Sequence, residues 1–206
     1  DTVSVYKVPT IGALESTTYD EDFNGVSFET HGWITGGTNT SWEWGTPAGS
    51  LITNTPDVGS AWVTNLSGIY NENEKSWVHS PCFDLNAIER PVISFDFRSL
   101  TREQLDGVVL QINASNITND DTQWENVGEI GNGKNWFNKS GIFANPGNQT
   151  LLQSGWSGED NGNWEEAIFA LDNSLLSLNL DLVRLRFAFA SLSNTTSNPF
   201  SEGFAF

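Results

Sequence analysis

The groups that could do covalent chemistry are few. The chain carries two histidines, His31 and His79, and one cysteine, Cys82. His79 and Cys82 lie together in His79-Ser80-Pro81-Cys82, where a base and a nucleophile are close in sequence. A cysteine nucleophile needs a base beside it in space and a third group to orient that base. Spacing across a Pro turn supplies neither, and a lone Cys more often packs as a small apolar side chain. Neither His sits in a His-Glu-x-x-His pattern, and one Cys excludes both a disulfide framework and a Cys-based zinc site. A glycosidase needs two carboxylates flanking a cleft. With 26 Asp+Glu a pair can always be drawn, but the Glu-x-Asp-x-x-Glu pattern of glucanases is absent. No phosphate-cradling glycine loop precedes a helix. The chain therefore reads as non-catalytic.

Recognition is the remaining chemistry. Nine Lys+Arg against 26 Asp+Glu give a net charge of −17. That surface repels phosphate backbones, which argues against nucleic acid as a partner. It also repels anionic membranes and acidic polysaccharides unless cations bridge the contact. Carboxylate and amide oxygens in such excess suit a hard cation, Ca²⁺ first, although acidity alone also keeps a protein soluble. Asp20-Glu21-Asp22 taken alone is a solvated charge run. Asn119-Asp120-Asp121 followed by Trp124 resembles a degraded Asp-box hairpin, with the Asp tying down the turn and the Trp packing beneath. A second cation site at Asp120 and Asp121 is the alternative.

Nine Trp can either fill a core or offer flat faces to sugar rings. Trp33, Trp62, Trp77 and Trp124 are assigned to the core. Trp42, Trp44, Trp136 and Trp156 lie among Gly, Asn and Ser and are the candidates for glycan binding, with packing as their other role.

Strands must position these groups. Ile93, Phe95 and Phe97 alternate with polar residues in Pro91–Arg98. Val108, Leu110 and Ile112 share a face in Gly107–Asn113, as do Val183, Leu185, Phe187 and Phe189 in Val183–Ala190, with Arg184 and Arg186 opposite. This period of two marks half-buried antiparallel strands. Weaker strands are expected at Ala61–Leu66, Ser76–Ser80, Trp124–Ile130, Trp164–Ala170 and Gly203–Phe206. A short helix is expected around Leu171–Leu178, capped by Asp172 or Asn173. Turn-rich segments lie at Thr35–Thr40, Ala114–Thr122, Gly131–Lys134, Asn145–Gln149 and Gly158–Asn163. Many short strands with such spacing predict an all-β fold, a two-sheet antiparallel jelly-roll sandwich. At 206 residues one such domain is a normal size. Residues 1–20 read as a lead-in or an added edge strand, and residues 21–206 as the domain. No run of 18 apolar residues exists, so no membrane insertion is expected. No signal peptide remains at Asp1. The lack of Met suggests a processed or excerpted chain, and Glu202–Phe206, still reading as a strand, suggests a polypeptide that continues.

Several motifs recur in a familiar order: His31-Gly32-Trp33; Trp42-Glu43-Trp44-Gly45-Thr46-Pro47; Ala61-Trp62-Val63-Thr64 through Tyr70 and Glu74; Ser80-Pro81-Cys82-Phe83-Asp84-Leu85; Asp106-Gly107; Asn135-Trp136-Phe137; Gly155-Trp156-Ser157-Gly158; Gly203-Phe204-Ala205-Phe206. Over residues 21–206 this order resembles the MAM-like jelly-roll module of secreted and cell-surface proteins of Bacteroidota-type bacteria. The resemblance implies a concanavalin-like sandwich, a secreted or cell-surface location and export by the type IX route. It also implies a calcium ion held near the start of the module, with Asp22, Glu29 and Asp57 as candidate ligands. Two departures matter. The disulfides of animal MAM domains are missing, and the paired Asp residues that usually follow Gly-Phe-Ala-Phe would lie beyond Phe206. The implied function is extracellular adhesion or recognition, glycan-binding and cation-stabilised. The alternative is a structural spacer or secretion-cargo domain that packs against neighbouring protein domains. Seven Asn-x-Ser/Thr sequons, at Asn39, Asn65, Asn113, Asn116, Asn138, Asn148 and Asn194, are what an Asn/Ser/Thr-rich chain carries by composition.

Overall fold

The structure is a computed structural model. It describes residues 10–11, 19–25, 32–86, 88, 90–151, 153–171, 180–194 and 201–206. Its described strands are β1 (Thr10–Ile11), β2 (Ile34–Thr38), β3 (Trp42–Gly45), β4 (Ala61–Thr64), β5 (Lys75–His79), β6 (Cys82–Phe83), β7 (Val92–Leu100), β8 (Gly107–Asn113), β9 (Glu125–Asn126), β10 (Glu165–Ala170), β11 (Arg184–Ala190) and β12 (Gly203–Ala205).

Ten of these strands form two five-stranded antiparallel sheets. The first runs β10-β7-β12-β4-β3 and the second β2-β5-β11-β8-β9. The remaining pair, β1 and β6, lies parallel, with Thr10 opposite Cys82. The fold is the expected all-β sandwich. Its long strands follow the alternation in the sequence. Along β11, Leu185, Phe187 and Phe189 face the space between the sheets, while Arg184 and Arg186 lie on the alternate face.

Aromatic side chains fill the space between the sheets. Phe187 stacks on Phe206 with centroids 3.8 Å apart, and Phe95 meets Phe187 edge-on at 4.8 Å. Each such ring removed from water contributes about 1.5–3 kcal/mol.

Buried polar groups are tied to specific partners. Asp106, fully buried, accepts from Tyr70 Oη at 2.7 Å, Arg102 Nε at 2.5 Å and the Leu192 amide at 2.8 Å. Arg98 forms a two-pronged pair with Asp160, at 2.6 and 3.1 Å, that fastens the loop before β10 to β7. The Glu202 carboxylate accepts from the amides of Ser50, Leu51 and Ile52.

Three expectations need correction. Thr35–Thr40 is not simply a turn, because Ile34–Thr38 forms edge strand β2; Gly36 and Gly37 conceal its alternation. Trp42–Gly45 pairs with β4 as β3, although its Trp residues suggested a loop. Trp124–Ile130 contributes only the two residues of β9. Glu202–Phe206 does carry a strand, β12, but in the middle of the first sheet between β7 and β4 rather than at its edge. Gly203, at φ +91°, suits that position, since a Cβ there would lie 1.9 Å from Thr64 Oγ1. Of the expected helix only Leu171 is described, and it is buried; residues 172–178 lie outside the described residues.

Candidate functional site

The most developed polar constellation lies on the outer face of the second sheet. In Lys75-Ser76-Trp77-Val78-His79 the period of two sends Val78 into the core and Lys75, Trp77 and His79 outward. Antiparallel register then sets His79 against Arg186 and Trp77 against Ala188, with Gln111 and Val109 on the next strand. On the edge, Gly36 lies opposite Trp77. A Cβ on Gly36 would stand 2.6 Å from the Trp77 ring, so the missing side chain is what lets the indole lie over β2.

These side chains form a stacked column. Trp77 lies on His79, with centroids 3.7 Å apart and planes 22° apart. His79 contacts Trp124 at 4.7 Å, and the Arg186 guanidinium sits 4.3 Å above the same Trp124 ring. Burial, with Arg186 and Arg184 nearby, pushes the His79 imidazole down to about 3, so it is neutral. Its Nε2 has no hydrogen-bond partner.

Two loops rise over the column. In the first, Asp120 accepts from the Thr122 amide and hydroxyl, at 2.9 and 2.7 Å, and holds a short turn. Trp124 is buried and donates to the Thr118 carbonyl at 3.3 Å. The Asp-box reading of this segment is thereby realised as structure. In the second loop, Gly147 packs over Gln111, and Asn148 Nδ2 donates to Asp121 Oδ2 at 2.5 Å. Between the loops and the sheet lies a groove of about 350 Å³, lined by Thr38, Lys75, Trp77, Asn119, Asp121, Asn148, Arg186 and Ala188 among others.

The groove is charged on both signs. Arg186 Nε donates to Gln111 Oε1 at 2.8 Å. Its Nη2 lies 2.9 Å from Asp121 Oδ1 but is not aligned for a hydrogen bond. Lys75 Nζ donates to the carbonyls of Ala144 and Asn145. Burial pushes Lys75 and Arg186 below their ordinary values, with Asp121 opposing both shifts.

A second and larger cavity, about 770 Å³, opens at the start of the domain. Core side chains such as Leu110, Phe187 and Phe206 line its depth, and Asp20, Glu21, Asp22, Asp57, Asp96 and Glu166 also line it. The structure therefore brings two of the expected calcium ligands, Asp22 and Asp57, to one cavity. Asp22 is fully exposed and takes the Asn24 amide at 2.9 Å and its side chain at 3.1 Å, which hold it below the usual carboxylate range. Asp57 is exposed. Glu29 lies outside the described residues. Among the described residues no three His, Cys, Asp or Glu side chains form a metal-holding group. Asp96 and Glu166 lie directly opposite across β7 and β10, and burial, then Glu166 and Asp57, push Asp96 upward. Glu166 is paired at 2.7 Å with Lys134 in an exposed ion pair.

The Trp assignments change. Trp42, Trp136 and Trp156 are 4, 3 and 1 % exposed and cannot present a ring face to a sugar. Trp42 lies on β3, and the loops that carry Trp136 and Trp156 fold back onto the core. Trp136 stacks on Phe169 at 4.9 Å and donates to the Val127 carbonyl at 2.7 Å. Trp156 pairs its backbone with Val108 and donates to the Asn135 carbonyl at 2.9 Å. Trp42 packs edge-on against Phe206 at 5.8 Å. Trp44 is half-buried, its Nε1 bonded to the Phe23 carbonyl. Trp33, Trp62 and Trp124 are core, as expected. Trp77, expected in the core, is half-buried and lines the groove. His79 and Cys82 form no catalytic couple: the imidazole is clamped in the aromatic column, and burial pushes the buried Cys82 thiol up.

No protein-family model matches the chain. No curated protein matches it in sequence. Among solved structures the chain is similar to the K1 cleaved adhesin domain of Lys-gingipain from Porphyromonas gingivalis W83. The TM-score is 0.40 and the identity 11 %, over 84 % of this chain and 85 % of that one. The description of the fold rests on the strand order and register given above. Among the described residues no helix is long and apolar enough to cross a membrane.

The groove has a faint sequence signal. Lys75-x-Trp77-x-His79 and Arg184-x-Arg186 each place polar or aromatic groups on one outward strand face. What joins them is pairing between strands more than 100 residues apart, which no local pattern encodes.

Proposed function

We propose that the protein is a non-catalytic extracellular recognition module that binds a glycan in the groove on the outer face of the second sheet. One observation carries this reading. Trp77, held by its stack on the buried His79, shares a single groove with the Arg186–Asp121 ion pair and the Asn119 and Asn148 amides. An aromatic surface takes the C–H face of a pyranose, while carboxylate, amide and guanidinium groups take its hydroxyls. The volume falls at the lower end of small-ligand sites, about 300–1,000 Å³, which suits one or two sugar rings. The order of sequence motifs, similar to that of MAM-like surface modules, supports the extracellular setting. Calcium, held at Asp22, Glu29 and Asp57, is the proposed stabiliser of the first part of the domain.

The test is a glycan array probed with the wild-type chain and with Trp77→Ala. Binding that the variant loses supports the reading. A blank array, or hits that Trp77→Ala retains, ends it.

A specific observation favours a second reading, packing against a neighbouring protein domain. Phe143 and Leu151 are 67 and 76 % exposed on one loop, whose flanks are joined by the Ile142 amide and the Gln153 carbonyl. Loss of a co-purifying partner on Phe143→Ser, with glycan binding absent, would select it.

A further inference from the structure

We infer that the glycan taken by this groove is acidic, carrying a carboxylate such as that of a uronic acid, and that Arg186 and Lys75 are the residues that read it. This inference rests on the glycan-binding reading of the groove.

The distribution of positive charge comes first. With nine Lys+Arg against 26 Asp+Glu the surface as a whole repels acidic polysaccharides, so an acidic sugar needs a locally cationic site. Arg98, Arg102, Lys134 and Lys139 each have a carboxylate partner within 2.7 Å. The groove is different, because Lys75 and Arg186 face it together and both act on the same carboxylate, Asp121. Lys75 Nζ itself bonds to carbonyls. Lys75 and Arg186 against Asp121 leave the groove with one positive charge in excess. Holding two partly desolvated cations beside one anion is costly unless a second anion arrives.

Arg186 gives the second observation. It is 2 % exposed, lines the groove, and its Nη2 is ion-paired with Asp121 Oδ1 at 2.9 Å. The rest of the guanidinium is fixed, through Nε to Gln111 and through its face to Trp124. A cation held this way needs no reordering when an anion binds, and its planar fork matches a carboxylate. The competing anion is weakly placed for exclusive pairing, since Asp121 is 45 % exposed and divides its oxygens between Arg186 and Asn148.

The experiment is calorimetric titration of the full chain with an oligogalacturonate and with its fully methyl-esterified form, in which each carboxylate charge is replaced by a neutral methyl ester. The acid should bind about tenfold tighter than the ester, with an advantage that shrinks as salt is added. Lys75→Met should reduce that ratio. Arg186→Lys, which keeps the charge and loses the fork, should reduce it further, with unchanged circular dichroism showing that it folds. Equal binding of acid and ester, or tighter binding of the ester, overturns the inference; loss of both on Trp77→Ala would still uphold the glycan reading. Binding of neither oligomer also overturns the inference, and the array then decides the glycan reading separately.

Discussion

Arg186 and Asp121 meet at 2.9 Å from opposite environments: the guanidinium is 2 % exposed and the carboxylate 45 %. Water can reach one partner and not the other. Arg102 and Asp106 differ, being 2 and 0 % exposed at 2.5 Å. The two pairs should therefore respond differently to loss of the acid. Asp121→Ala should cost less than Asp106→Ala, because water can reach the site that the half-exposed carboxylate leaves. Asp106→Ala should cost roughly 3–5 kcal/mol, because it strands a buried Arg102, and it also takes an acceptor from Tyr70 and Leu192. Urea denaturation of both variants checks the order; equal losses would contradict it.

Two Trp variants should separate binding from stability. Trp156 is fully buried among Phe95, Phe97 and Phe137. Trp156→Ala should lower stability by roughly 3–5 kcal/mol. Trp77→Ala removes a half-buried ring from the sheet exterior and should cost less, while abolishing glycan binding. Denaturation curves alongside array binding test both halves.

The contrast also shows what was readable in the sequence. Alternation alone located β7, β8 and β11, because each buries one face and exposes or bonds the other. β2 was hidden, since Gly36 and Gly37 carry no side chains to alternate. For Trp42, Trp136 and Trp156 the Gly, Asn and Ser neighbours leave sugar binding and packing both open, and the structure packs all three rings into the core. Those neighbours describe the local backbone and do not say which surface it folds onto. Trp77 went astray in the opposite direction: an aromatic on an alternating strand suggests burial, and only Gly36 on the next strand shows where the ring lies. The groove draws on residues from Thr38 to Ala188, and its walls meet only through tertiary pairing.

His79 should leave a mark on the pH dependence of stability. Its folded-state value, about 3, lies below the ordinary value of 6.5. Between these values the unfolded chain binds a proton that the folded chain refuses. The stabilisation is present above about 6.5 and is lost as pH falls toward 3, by up to about 1.4 kcal/mol per pH unit. Between pH 6.5 and 5 few carboxylates change charge, so this slope should stand out. Denaturation at pH 7 and pH 5 should show a drop in the wild type that His79→Gln largely removes.

Calcium has a direct thermal test. If Asp22, Glu29 and Asp57 hold the ion, excess calcium raises Tm over excess chelator by mass action on the folded state. Glu29→Gln should diminish that rise. Identical melting curves in calcium and in chelator would remove the ion from the account.

The position of β12 bears on the order in which the molecule can assemble. Gly203–Ala205 separates β7 from β4, so the first sheet exists only as two unconnected halves, β10-β7 and β4-β3, until this segment docks. Its partner Val63 lies some 140 residues upstream. Closing so long a loop is an entropic barrier met late in the folding reaction, and non-local pairing of this kind makes for slow folding. The strand acts as a keystone: Phe204 at its centre and Phe206 just beyond it reach the same Phe187, so its arrival joins both halves and seals the aromatic core in one step.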